Sequence, residues 1–158
     1  MSDTRELSVT RYIDAPPEIV WDILANRQDE WFCPKPWRAT VDVQEQRPGG
    51  RTELTFHGPE GESFQQNGIF LAYDEGRRFV VTDAVIYGEG GDLEPQEPFM
   101  IGFWEVAAEG SGTRYTAGAR HWTDEAVARH KEMGFEAGWA ICANQLAELA
   151  EEEAKAEA

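Results

Sequence analysis

The sequence predicts an α+β protein in which one long helix lies across an antiparallel sheet. Two observations indicate this fold class. Short segments of alternating polar and apolar residues follow one another through residues 38–122, and Gly- and Pro-containing turns join them, which is typical of consecutive hairpins. Residues 123–149 instead repeat their apolar residues at helical spacing. A helix with one apolar stripe must cover another surface, and the sheet offers one.

The first elements are a strand over 6–14 and a helix that begins after Pro16. Pro17 suits the first turn of a helix, and Glu18 favours the positive end of its dipole. A second short helix or turn is expected around 29–32, followed by a loop because Cys33-Pro34-Lys35-Pro36 cannot be helical. A polar, flexible loop is expected over 88–98. Six further strands are predicted over 38–46, 52–57, 63–73, 78–86, 100–107 and 113–122.

The long C-terminal helix, capped by Thr123 or Asp124, carries two glycines on or beside its apolar stripe. Gly134 and Gly138 stand one turn apart, and each costs a helix interior about 1 kcal/mol relative to alanine. Two interpretations stay open. The glycines allow close packing against the sheet, or they leave room under a helix that covers a ligand cavity. The stripe consists of Phe135, Gly138, Trp139, Cys142, Leu146 and Leu149.

Composition limits the class of protein. The 158 residues predict one domain over 1–150, followed by an acidic tail over 151–158 that frays. A formal charge of −16 argues against binding to nucleic acid or to an anionic membrane. No apolar run approaches the ~20 residues that span a bilayer, and no signal-peptide core precedes residue 7. Cys33 and Cys142 are too few for a disulfide framework, so we expect a cytoplasmic protein.

Several segments, in this order, resemble one family. They are Asp14-Ala15-Pro16-Pro17-Glu18-Ile19-Val20-Trp21, Arg47-Pro48-Gly49-Gly50, Gly58-Pro59-Glu60-Gly61, Gly68-Ile69-Phe70, Gly112-Thr113-Arg114, and Gly138-Trp139 followed by Leu146. From about residue 6 to 150 the chain is similar to the SRPBCC or START-like superfamily, and within it to the branch related to the activator of Hsp90 ATPase. The resemblance implies a helix-grip fold. In that fold a curved antiparallel sheet of about seven strands wraps around a long C-terminal helix, with a cavity between them and one or two short helices after the first strand.

The sequence shows no motif for a metal, a cofactor or a catalytic nucleophile. His57, His121 and His130 are far apart in sequence, and no Cys-x-x-Cys or His-x-x-x-His pattern occurs. There is no Gly-x-Ser-x-Gly elbow, phosphate loop or dinucleotide fingerprint. We therefore predict no metal and no cofactor, and we assign no catalytic residue.

Aromatic residues are the main candidates for ligand contact, although each alone is more often plain core. In a helix-grip protein, Trp31, Phe32 and Trp37 would lie near the cavity mouth. The expected interior residues are Phe56, Phe70, Tyr87, Phe103, Met133, Gly138 and Trp139.

Two polar residues, Glu105 and His121, are candidate acids or anchors within these aromatic surroundings, with a surface ion pair or helix-cap contact as the alternative. Strand alternation places Arg120 and His121 on opposite faces, so only one of them faces the cavity. The remaining polar residues near aromatic positions are predicted to be solvated: His57, His130, Glu132 and Glu136.

The leading functional hypothesis is binding of a small hydrophobic molecule, such as a lipid, a polyketide or a flat aromatic compound, as members of the superfamily do. The second is a cyclase or hydrolase that acts on such a ligand, with Glu105, His121 or Tyr87 as acid–base groups. The third is a regulator of an Hsp90-type chaperone that uses the acidic surface. We expect no nucleic acid partner and no membrane insertion, and a homodimer stays open.

Overall fold

The computed structural model describes residues 5–157 and contains one seven-stranded antiparallel sheet, a small two-stranded hairpin and three helices. The strands are β1 Glu6–Ile13, β2 Arg38–Gln44, β3 Arg51–His57, β4 Ser63–Asp74, β5 Arg78–Thr82, β6 Val85–Tyr87, β7 Leu93–Pro95, β8 Ile101–Glu109 and β9 Gly112–Arg120. The helices are α1 Pro17–Asn26, α2 Asp124–Glu132 and α3 Phe135–Ala156, with a 3-10 turn at Gln28–Glu30. The predicted α+β class is confirmed.

The strand order in the large sheet is β1-β9-β8-β5-β4-β3-β2, and every neighbouring pair is antiparallel. Consecutive hairpins account for β2-β3-β4-β5 and for β8-β9, as the turn residues predict. The strand expected over 78–86 is divided, because β5 ends at Thr82 and β6 begins at Val85. The expected loop over 88–98 contains β7, which pairs with β6.

Helix α1 follows Pro16 directly and has Pro17 in its first turn. Its apolar residues Val20, Ile23 and Leu24 are almost completely buried against the sheet and α3. These residues are buried together because their spacing in the sequence places them on one face of the helix.

The predicted long C-terminal helix is two helices, which corrects the sequence-based expectation. Helix α2 is capped by Thr123, whose hydroxyl accepts a hydrogen bond from the Ala126 N–H at 3.0 Å. Gly134 then adopts a left-handed conformation with φ +90° and begins α3. Gly134 is therefore a connection between helices, where glycine is favoured, and not a residue of a helix interior.

Helix α3 continues to Ala156, beyond the predicted end at Leu149 and through most of the segment expected to fray. Two carboxylates tie this last part to the rest of the chain. Glu151 accepts a hydrogen bond from the Asp14 N–H at 2.9 Å, and Glu153 lies 3.4 Å from the Arg27 guanidinium. Ala158 lies outside the described residues. Within residues 5–157, no helix is long and apolar enough to cross a bilayer.

Substitution of Gly134 and of Gly138 by alanine should change the free energy of unfolding in opposite directions. Gly134→Ala should lower the free energy of unfolding by about 1–2 kcal/mol, because an L-residue is strained at φ +90°. Gly138→Ala should raise it by up to about 1 kcal/mol, because nothing lies within 4 Å of the added Cβ and alanine favours helix. Urea denaturation of both variants measures the two effects. Equal effects of the same sign would contradict the break at Gly134.

Candidate ligand-binding cavity

A cavity of about 660 Å³ lies between the inner face of the sheet, the loop after α1, and the α2–α3 connection. Such a volume falls within the range of sites for drug-sized molecules. Its sheet wall comprises Thr52, Leu54, Phe56, Phe64, Gln66, Asn67, Gly68, Phe79, Val81, Trp104 and Tyr115. Its helix and loop walls comprise Gln28, Trp31, Phe32, Cys33, Pro34, Trp37, Asp83, Phe99, Met100, His130, Met133, Gly134, Phe135, Gly138, Trp139 and Cys142.

Four stacked aromatic rings connect the sheet to α3 along one side of the cavity. Phe79 stacks on Trp104 with centroids 5.2 Å apart, and Trp104 stacks on Trp139 at 5.6 Å. Trp139 in turn stacks on Phe135 at 4.5 Å. Stacked rings of this kind add to the energy of area burial alone. This wall is therefore both apolar and well defined.

Two large apolar side chains mark the cavity mouth, because they line it and are also exposed. Phe64 is 59% exposed and Met133 is 67% exposed. The Trp37 ring stacks on Phe64, with centroids 5.8 Å apart and planes 15° apart. Exposed apolar residues around a concave apolar surface are typical of binding sites.

The loop that forms another wall is held to α3 by one side chain, Gln145. Its amide nitrogen donates hydrogen bonds to the carbonyl oxygens of Trp31 at 3.0 Å and Cys33 at 2.8 Å. Its amide oxygen accepts a hydrogen bond from the Lys35 N–H at 3.0 Å. Gln145 is not predicted from the sequence, because a polar residue beside an apolar stripe gives no local sign of such a role.

Gly138 lines the cavity, and no heavy atom lies within 4 Å of where its Cβ would be. Close backbone packing would have placed atoms there. Of the two interpretations left open by the sequence, the geometry favours the one in which the missing side chain leaves room.

Seven of the twelve candidate ligand-contact residues come together around this cavity. They are Trp31, Phe32, Trp37, Phe56, Met133, Gly138 and Trp139. Several other residues that line the cavity are not predicted from the sequence as ligand contacts. These include Phe79, Phe99, Trp104, Tyr115, His130 and Phe135.

Phe103 and Glu105 lie on the opposite, outer face of the sheet. In β8, Trp104 and Val106 point into the core, so the residues between and before them point outward. Phe103 is covered there by the Arg120 guanidinium, 4.3 Å from its ring centroid. Neither residue lines the cavity, which differs from the expectation.

Phe70, Tyr87 and His121 also lie away from the cavity lining. Phe70 is buried in the main core, edge-on to Tyr73 and Phe79. The Tyr87 hydroxyl donates a hydrogen bond to the Gly49 carbonyl oxygen at 2.8 Å, so it holds the β6–β7 hairpin on a neighbouring turn. His121 contacts His130, which lines the cavity, but does not line it itself.

His121 and His130 form a buried pair, although the sequence predicts a solvated His130. Each is only 7% exposed. Nε2 of His121 lies 2.9 Å from Nδ1 of His130, and Nδ1 of His121 lies 2.9 Å from the Arg5 carbonyl oxygen. Burial, with smaller contributions from the neighbouring His121 and the Arg129 guanidinium, lowers the pKa of His130 to about 4. His130 is therefore neutral at pH 7.

The two cysteines line the same cavity as protonated thiols. Burial raises the pKa of Cys33 to about 11 and that of Cys142 to about 12. Thiols with raised pKa values are poor nucleophiles, in agreement with the interpretation of Cys142 as a small buried apolar residue. Within residues 5–157, no three His, Cys, Asp or Glu residues are placed to hold a metal ion.

A curved antiparallel sheet with a long C-terminal helix across it, and a cavity between them, defines the helix-grip class of the START-like proteins. The family model described as "Activator of Hsp90 ATPase homolog 1-like protein" matches residues 14–151. The chain belongs to this family. A comparison with functionally curated proteins finds no significant match.

Solved structures agree with this assignment. A protein from Nitrosomonas europaea is 34% identical, with a TM-score of 0.84 over 97% of this chain and 98% of that one. A Mycobacterium smegmatis protein is 29% identical, with a TM-score of 0.76 over 93% of this chain and 91% of that one. A structure titled as the AHSA1 protein from Silicibacter pomeroyi is 18% identical, with a TM-score of 0.66 over 90% of this chain and 94% of that one, and supports the fold alone.

Gln145→Ala should lower the free energy of unfolding by about 2 kcal/mol, because three hydrogen bonds to the loop are lost and two carbonyl groups lose their donor. Gln145→Glu should be at least as harmful, because a carboxylate cannot donate to those carbonyls. Asn144→Ala is the matched control, since that amide is exposed and its oxygen accepts a hydrogen bond from Arg11 rather than from the loop. Thermal or urea denaturation measures all three, and equal stability of the Gln145 and Asn144 variants would contradict the role of Gln145.

Because the pKa of the buried His130 is lowered, we expect the protein to lose stability in acid. The pKa of His130 is about 4 in the folded protein and near its ordinary value of 6.5 in the unfolded chain. The unfolded state therefore binds more protons than the folded state between these two pH values. Stability should therefore fall as pH falls from 6.5 to 4, by at most about 3 kcal/mol from this group. His130→Phe should remove this part of the pH dependence, measured as the difference in urea midpoints between the two proteins. A pH-independent difference would refute the prediction.

Proposed function

We propose that this protein binds a small hydrophobic molecule with a flat aromatic part in the cavity between its sheet and α3. The observation that supports this most directly is the open space beside Gly138 in an apolar cavity of about 660 Å³. A binding protein needs such a volume to be kept free of its own side chains, and a plain core does not.

The character of the walls supports a flat ligand. Trp31, Phe32, Trp104, Phe135 and Trp139 all face the cavity, and aromatic rings prefer offset-stacked or edge-to-face partners. The exposed Phe64 and Met133 at the mouth would be covered by a ligand or by the closing of the mouth over it. Lipids and polyketides of matching shape are included in this class.

Binding accounts for the geometry better than catalysis does. The acid–base groups considered for a cyclase or hydrolase were Glu105, His121 and Tyr87, and none of them lines the cavity. A regulatory contact with an Hsp90-type chaperone would use the acidic surface of the protein and would leave the cavity without a role.

The experiment is a thermal-stability screen of the purified protein against lipids, flavonoid-like aromatic compounds and polyketides. A ligand at 100 times its dissociation constant adds about 2.7 kcal/mol, which raises the melting temperature of a domain of this size by several degrees. A saturable increase with at least one class is the expected result. No increase with any of the three classes would contradict the proposal.

Gly138→Leu should remain folded and lose this ligand-induced increase, because its side chain enters the open space. Ala137→Leu is the matched control, since Ala137 is exposed on α3 and does not line the cavity. Circular dichroism establishes that both variants are folded. If Gly138→Leu binds as well as Ala137→Leu, the ligand site lies elsewhere.

A further inference from the structure

The His121–His130 pair places a defined hydrogen-bond acceptor at the cavity wall. The Arg5 carbonyl oxygen can only accept, so Nδ1 of His121 carries the proton of that contact. When the His121 ring carries only this proton, its Nε2 accepts, and Nδ1 of His130 must donate to it. Nε2 of His130 is then left without a proton. Among residues 5–157 this atom has no hydrogen-bond partner.

No positively charged side chain belongs to the described lining of the cavity, and the Arg129 guanidinium lies over the Phe99 ring, 4.9 Å from its centroid. The carboxylate in the cavity lining, Asp83, already accepts hydrogen bonds from the backbone N–H groups of Phe99 at 3.0 Å and Met100 at 3.3 Å. A ligand carboxylate would lose its hydration without gaining a counterion from the cavity lining, which is costly. An uncharged ligand avoids that cost.

Aromatic rings surround the His130 ring, which carries the free acceptor. The rings of Phe99 and Phe135 each lie 4.9 Å from the His130 ring, centroid to centroid, and the Trp139 ring lies at 6.2 Å. A ligand that stacks on these rings brings its own edge to His130. A donor attached directly to an aromatic ring therefore fits both features of this corner.

We propose that the ligand is an uncharged, flat aromatic molecule bearing a hydroxyl or N–H group, and that Nε2 of His130 accepts a hydrogen bond from that group. This inference rests on the proposed binding function. His121 and the Arg5 carbonyl act as positioning groups, since they hold His130 in the tautomer that can accept. The structure thereby distinguishes a phenol-like ligand from a fatty acid, whose carboxylate needs a cation.

Three pyrenes that differ in one substituent test the proposal by fluorescence titration at pH 7.5. They are 1-hydroxypyrene, which donates, 1-methoxypyrene, which does not, and pyrene-1-carboxylate, which is anionic. The hydroxyl compound should bind about tenfold more tightly than the methoxy compound, as one additional hydrogen bond in a buried site predicts. The carboxylate should bind most weakly.

The His130→Phe variant completes a double-mutant cycle with the first two pyrenes. It retains a ring and removes the acceptor, so the preference for the hydroxyl compound should fall to about onefold. His57→Phe is the control, because His57 lies at the end of β3 and does not line the cavity. An undiminished preference in His130→Phe would overturn the role of His130.

Long-range proton–nitrogen NMR of the wild-type histidines tests the tautomers without a mutation. Nδ1–H should be found for both His121 and His130, and Nε2 of His130 should move toward lower frequency on addition of 1-hydroxypyrene. An Nε2–H tautomer of His130 would overturn the inference.

The outcomes separate this inference from the proposed function. Equal binding of all three pyrenes would refute the inference and leave the cavity as a binding site. Binding of none of them, together with no stabilisation in the thermal screen, would refute the binding function itself.

Discussion

The packing of α3 from Ala143 onward determines the position of the elements around the cavity. Leu146, Ala147 and Ala150 are completely buried, and Ala143 nearly so, against α1 and the sheet. Small side chains let the helix lie close to its neighbours here, and close-packed contacts of this kind are rigid. The first half of the same helix carries Trp139 and a glycine where the second half carries alanine and leucine. The helix is therefore fixed to the core along its C-terminal part, and its N-terminal part, which carries Phe135, Gly138, Trp139 and Cys142, lines the cavity.

Much of the fold can be predicted from the sequence because its determinants are local. The turn at Gly58-Pro59-Glu60-Gly61 and the alternation in β3 identify the β3–β4 hairpin without knowledge of the rest of the chain. The break at Gly134 is less visible, since helical apolar spacing continues on both sides of it. Only the left-handed backbone conformation of that residue shows that two helices meet there.

The candidate site is harder to predict, because it depends on contacts between distant elements. Phe103 and Trp104 are adjacent aromatic residues on opposite faces of one strand, and the sequence does not show which face is the inner one. His130 stands between Arg129 and Lys131, a context typical of a solvated helix face. Its burial comes from contacts outside its own helix: His121, which lies beyond the end of β9, and the rings of Phe99, Phe135 and Trp139. Nothing in the local sequence indicates these contacts.

An open apolar cavity lowers stability, because atoms that line it lack van der Waals partners on one side. Gly138 adds the unfavourable helix propensity of glycine, about 1 kcal/mol relative to alanine. A single larger side chain at this position would reduce both costs, since no atom stands in its way. Proteins often retain such stabilising opportunities unused where the substitution would interfere with function. The aromatic stack and the Gln145 contacts meanwhile keep the surrounding walls in place. Walls that are held firmly around a space left unfilled are the combination expected of a preorganised binding site, in which little ordering energy is needed when the ligand enters.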